Sequence, residues 1–131
     1  MGETDELAGD WLRFAREDLE SSAEMLKGRA HYRPRHVCFA GQQAAEKAMK
    51  AVCVAAQIPF PFTHDLEKLT AVLGEAYRVS HTSGDLKWLS QWAVEHRYPG
   101  EDEPDWPDAN RAFEIARLVV DAAGEDVQAV R

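Results

Sequence analysis

Two short stretches of the chain carry side chains suited to holding phosphate or a base. The first reads Gln42-Gln43-Ala44-Ala45-Glu46-Lys47-Ala48-Met49-Lys50. On a helix turning about 100° per residue, Gln42, Gln43, Glu46, Lys47 and Lys50 share one arc of roughly 140°. Phe39 extends that arc at one end, Cys53 and Val54 at the other. A wholly solvated face seldom begins and ends in such residues. Two readings stand: a polar patch facing a partner chain or a ligand, and a solvent strip whose Glu46–Lys50 pair contributes about 0.3 kcal/mol. The second stretch is Glu95-His96-Arg97-Tyr98-Pro99-Gly100. The planar guanidinium of Arg97 can hold two phosphate oxygens at once, and Tyr98 can stack on a base. The same basic pair also suits the negative end of a helix dipole.

Three further histidines bear on catalysis or metal binding. His64, in Thr63-His64-Asp65, sits where a helix begins, and the dipole there favours a neutral imidazole. It can serve as a base, or it can orient the turn through a local hydrogen bond. His31 and His36 flank a loop and lack metal-ligand spacing to any cysteine or carboxylate cluster, so no metal site and no cofactor is expected. There is no glycine-rich phosphate loop, no G-x-S-x-G and no CxxC pair. Cys38 and Cys53 lie in an Ala/Val/Met-rich stretch and read as buried, reduced thiols.

Five helical segments must position these groups, and no stretch alternates as a strand would. The first runs from Thr4 or Asp10 to Lys27, with Trp11, Phe14, Ala15, Leu19, Ser22 and Leu26 on one face and Gly28 as its stop. The second opens at Pro34 and runs to about Gln57, halted by Ile58-Pro59-Phe60-Pro61. Its stripe of Val37, Ala40, Ala44, Ala48, Ala51 and Ala55 allows close helix approach. The third starts at Thr63 as N-cap, with Leu66, Leu69, Val72, Leu73 and Ala76 inward. The fourth carries Leu86, Trp88, Leu89, Trp92, Ala93 and Val94 and ends at Tyr98, before Pro99. Trp88 and Trp92, four apart, read as core or dimer contacts ahead of a stacking platform. The acidic loop GEDEPDWPD leads into the last helix, with Ala112, Phe113, Ala116, Val119, Val120, Ala123 and Val127 inward. Long helices on short connections imply one all-α domain, an antiparallel up-down helical bundle.

At 131 residues the chain suffices for one domain with one core. Its net charge of −8 runs against a general grip on nucleic acid, which needs a basic surplus. Any RNA contact should therefore be local or shared with a partner. No apolar run is long enough for a bilayer, and MGETDELAGD does not read as a signal peptide, so a cytoplasmic protein with no membrane contact is expected.

Taken together, FAGQQAAEKAMKAV, then Pro59-Phe60-Pro61-Phe62-Thr63-His64-Asp65-Leu66, then Trp92-Ala93-Val94-Glu95-His96-Arg97-Tyr98-Pro99 resemble the HEPN domain, named for nucleotide-binding domains of higher eukaryotes and prokaryotes. The opening Trp11-Leu12-x-x-Ala15-x-x-Asp18-Leu19 fits as well, and the resemblance covers about residues 8–125. It implies an antiparallel helical bundle that forms a homodimer. It also implies an association with a minimal nucleotidyltransferase in a toxin–antitoxin-like module. Some members of that family are metal-independent ribonucleases that use an arginine, four to six intervening residues and a histidine at the dimer interface.

The chain departs from that motif. Arg97 is followed at the required spacing by Asp102, Glu103 and Pro104, none of them histidine. The literal match of Arg29 to His36 straddles Pro34, and roughly one such match is expected by chance in this composition. Ala40-Gly41 stands where related sequences often carry His-Ala. The sequence therefore points to a non-catalytic HEPN-like homodimer that binds a nucleotide, an RNA or a nucleotidyltransferase partner. Gln43, Glu46, Lys47, Lys50, Arg97 and Tyr98 are its expected binding residues. The alternatives are a ribonuclease using Arg97 with His64 or His96, and a structural interaction module without a ligand.

Overall fold

A computed structural model describes residues 2–82, 84–94 and 102–130. Among them every regular element is helical: α1 (Glu3–Lys27), α2 (Pro34–Ala55), α3 (Leu66–Leu73), α4 (Leu86–Ser90) and α5 (Trp106–Val130), with 3-10 turns at Arg78–His81 and Gln91–Ala93. None of these helices is long and apolar enough to cross a membrane.

The three long helices build the core. α1 runs antiparallel to α2, as the contacts Ser22–Val37, Asp18–Lys47 and Trp11–Lys50 show by their opposed order along the two helices. α5 runs parallel to α2: Gly41 meets Ala112 and Ala116, while Ala55 and Val130 line one cavity at the far end. The intervening segment makes the return. The close approach of α2 and α5 falls at Gly41, a residue outside the small-residue stripe that the sequence suggested. A Cβ on Gly41 would stand 3.2 Å from the carbonyl oxygen of Ala112, so a larger residue here would require the Ala112 backbone to give by a few tenths of an ångström. The buried Ser22 hydroxyl donates to the Val37 carbonyl at 3.0 Å and joins α1 to the start of α2.

The segment between α2 and α5 zigzags. After α2 the chain turns at Gln57, whose φ is 57°, and doubles back along α2 until His64 reaches Glu46. α3 then leads to the 3-10 turn. There the buried carboxylate of Asp126 on α5 accepts the N–H groups of Arg78 and Val79 at 2.9 and 3.0 Å. α4 returns to α5, where Arg111 pairs with Asp85 at 3.1 Å and covers the Trp88 ring at 4.1 Å. Trp92 is core, set edge-on to Trp88 with ring centroids 5.8 Å apart.

Several boundaries differ from the sequence expectation for local reasons. α3 is capped by Asp65, whose side chain accepts from Glu67 N–H, and it begins at Leu66; Thr63 instead accepts from the Asp65 amide. α4 ends at Ser90. The Ser90 hydroxyl donates to the Leu86 carbonyl and accepts the Leu66 amide, a back-bond that bends and stops a helix. Val94 is extended and exposed rather than helical. α5 starts inside the acidic loop, at Trp106, because Asp105 and Asp108 cap each other's amides and Pro107 lies in the first turn, where its missing N–H costs nothing. Phe14, Val72 and Ala76 face outward, and Leu12 and Ile115 take inward places instead.

Candidate functional site

The polar arc of α2 is divided between the interior and a shallow groove. Gln42, Glu46 and Lys50 follow one another at four-residue intervals, so they form a single row, and the row is buried. The Glu46–Lys50 pair is therefore no solvent strip: its side chains are 5% and 8% exposed and meet at 2.9 Å. Lys50 Nζ also lies 5.8 Å from the ring centroids of Trp11 and Phe60, within cation–π range. Aromatic rings from α1 and from the loop thus cover a charge that a ladder of carboxylate and amide groups satisfies.

His64 completes the row from outside. Its Nδ1 is 2.8 Å from Glu46 Oε1, and its side chain remains 56% exposed. A carboxylate oxygen can only accept, so Nδ1 carries the hydrogen and the Nε2 lone pair is the group left over. Gln42 Nε2 donates to the His64 backbone carbonyl at 2.9 Å and lies 3.3 Å from Glu46 Oε1, so one amide holds both the loop and the carboxylate. The contact expected within Thr63-His64-Asp65 joins the Thr63 hydroxyl to the Asp65 amide, while the imidazole goes to Glu46. Phe62, 97% exposed, sets its ring against that of His64 with centroids 6.0 Å apart.

Gln43 and Lys47 lie on the other side of the arc, in a groove between α1 and α2. With Asp18, His36, Phe39 and Ala40 they line a cavity of about 250 Å³. Lys47 Nζ is held by Asp18 at 2.6 Å, and Gln43 Nε2 donates to Gln42 Oε1 at 2.8 Å. Arg97, Tyr98 and His96, expected at the end of the fourth helix, lie outside the described residues. Among the described residues no three His, Cys, Asp or Glu side chains gather closely enough to hold a metal ion. Both cysteines are buried: the Cys38 thiol is pushed up to about 12 by burial and by Asp108 and Asp105 nearby. Cys53 is raised to about 11 by burial, its own backbone hydrogen bond and Lys50 pulling the other way.

Residue typing alone passed over two participants. Asp18 neutralises Lys47, and Asp126 anchors the 3-10 turn. Asp126 did leave a signal, since it is a lone acid beside Ala123 and Val127 on an otherwise apolar helix face.

Three long helices closed by a broken short pair, with a Gln-Gln-Ala-Ala-Glu-Lys helix locked to a Thr-His-Asp-Leu turn, define a recognisable class of helical domain. The HEPN domain model matches residues 8–127, and the chain belongs to that family. Its backbone is similar to the crystal structure of TT1696 from Thermus thermophilus. The two are 29% identical with a TM-score of 0.75, over 91% of this chain and 97% of that one. No curated protein matches the chain.

Proposed function

We propose that this is a non-catalytic HEPN protein that acts by association, pairing with itself and with a minimal nucleotidyltransferase partner. Direct contact with a nucleotide or RNA is secondary in this reading and centres on Arg97 and Tyr98. The observation that carries it is charge compensation. Lys47 is neutralised by Asp18 and Lys50 by Glu46. The polar arc of α2 therefore offers no uncompensated cation for phosphate, on a chain whose net charge is −8.

Apolar surface supports association. Leu7, 52% exposed, and Phe14, 44% exposed, flank Trp11 on one face of α1. With Asp10 these three line a shallow cavity of about 220 Å³. Beside this ridge Arg13 pairs with Asp10 at 3.5 Å and with Glu17 at 3.6 Å. An exposed apolar ridge rimmed by charges of both signs suits a contact between identical faces across a two-fold axis.

The test joins light scattering to binding calorimetry. A particle at twice the 14.7 kDa chain mass at micromolar concentration is expected. Mononucleotide or short-RNA binding should be weak, weaker still in high salt, and reduced by Arg97→Ala. A chain that stays monomeric and binds RNA tightly would overturn the proposal.

The ribonuclease alternative has one observation in its favour. The Leu66 amide bonds the Ser90 hydroxyl at 2.9 Å, so the turn carrying His64 lies beside the end of α4, seven positions before Arg97 in the sequence. Metal-free RNA cleavage by the purified protein, abolished by Arg97→Ala or His64→Ala, would establish it.

A further inference from the structure

We infer that His64 is a phosphoryl-accepting histidine, a modification site at which Nε2 takes a phosphoryl group from a donor of the phosphoramidate or acyl phosphate class. The argument begins with the ring nitrogens of the described histidines. His36 Nδ1 accepts the Arg33 amide hydrogen at 3.1 Å, so its proton, when neutral, must sit on Nε2. His81 Nε2 donates to the Glu75 carbonyl at 2.8 Å, which occupies that nitrogen. His31 is exposed, with no buried carboxylate behind it. Among the described residues His64 alone gives Nδ1–H to a buried carboxylate and keeps Nε2 for solvent.

That arrangement is what nucleophilic attack by imidazole needs. Glu46 fixes the tautomer, so the lone pair is on the nitrogen that faces water. Gln42 pins the His64 backbone, and the Phe62 ring lies edge-on to the imidazole with centroids 6.0 Å apart. The side chain is more than half exposed, yet its Nδ1 is fixed by a carboxylate that is itself buried.

In the step itself the Nε2 lone pair attacks phosphorus and an N–P bond forms. The bond from phosphorus to the donor's leaving group breaks, and the leaving group departs with the electron pair. No proton has to leave the ring: Nδ1 keeps its hydrogen, and the product is an N-phosphoryl imidazolium. Its positive charge faces Glu46 Oε1, while Lys50 holds the other carboxylate oxygen in place. A carboxylate at this distance stabilises the charge developing on the ring as the bond forms.

The test uses the intact protein and potassium phosphoramidate as probe. Tryptic peptide Ala51–Lys68 contains His64 as its single histidine. Acid-labile, alkali-stable phosphorylation is followed by mass spectrometry on it and on the peptides bearing His31, His36 and His81. His64 should react faster than exposed His31 by about tenfold, the rate factor that corresponds to about 1.4 kcal/mol of transition-state stabilisation. The advantage should vanish in urea. Glu46→Gln keeps an acceptor for Nδ1 but removes the charge, and it should slow His64 by about the same factor. If that variant fails to fold, Glu46→Gln with Lys50→Gln exchanges the buried ion pair for amides and should show the same slowing. Equal rates for His64 and His31 in the native protein would overturn the inference. So would an undiminished rate in whichever Glu46 variant is folded. Neither result bears on self-association or on Arg97, so this inference and the proposed function fail separately.

Discussion

Nδ1 of His64 and Oε1 of Glu46 meet at 2.8 Å across 18 positions of sequence, and this contact joins the loop after α2 to the middle of that helix. Glu46 is the hub of the arrangement, bound by Lys50, His64 and Gln42 at once. Removing the hub leaves a buried ammonium with no counter-charge, which is the costly way to break a buried pair.

Glu46→Ala should therefore lower unfolding free energy by about 3–5 kcal/mol, the range for an orphaned buried charge. Urea denaturation measures it. His64→Ala, which removes an exposed partner and leaves the Glu46–Lys50 pair intact, should cost far less. Equal losses from the two substitutions would contradict the ranking.

Asp126→Ala should release the 3-10 turn at Arg78–His81, since two backbone amides lose their acceptor. The expected cost is about 1–3 kcal/mol for leaving buried donors unpaired. Hydrogen exchange gives the more local reading: the Val79 amide should exchange faster while amides in the middle of α1 hardly change.

The two thiols predict a pH dependence with a definite sign. Cys38 rises from 9.0 to about 12 and Cys53 from 9.0 to about 11 in the folded chain. Below the ordinary value both folded and unfolded chains keep the proton, so stability is unaffected there. Above it the unfolded chain releases protons that the folded one retains, and unfolding gains. Stability should fall as pH rises from about 9 towards 11 and 12, and Cys38→Ala with Cys53→Ala should flatten that decline. Thiol reagents at neutral pH should label neither cysteine until urea is added.

Phe14→Asp should weaken self-association at the α1 ridge without unfolding the chain, because Phe14 is substantially exposed. Sedimentation should show a shift towards the 14.7 kDa species with unchanged helical circular dichroism. A variant that dimerises as tightly as the parent would remove the ridge from the interface.

The all-helical class, the extents of α1 and α2 and the capacity of α2 for close helix approach were legible from the amino acids. Each depends on local propensity, on Pro34 and Gly28, or on a run of small residues along one helix face, and these act within a few residues. The same helical spacing put Gln42, Gln43, Glu46, Lys47 and Lys50 on one arc, but it could not say that Gln42, Glu46 and Lys50 would be buried while Gln43 and Lys47 line a groove. A helix periodicity establishes which residues share a face and leaves open what that face meets. The partners that turned the row inward lie far off in sequence: Trp11 on α1 and His64 on the returning loop. Lys47 found Asp18 at a separation of 29, and Asp126 found the amides of Arg78 and Val79 at 48 and 47. The ends of α3 and α4 were decided the same way, since the Ser90 hydroxyl that stops one helix also receives the first amide of the other. Burial made these pairings necessary: a charge or amide taken out of water must find a partner, and only the packing of distant segments determines which partner is within reach.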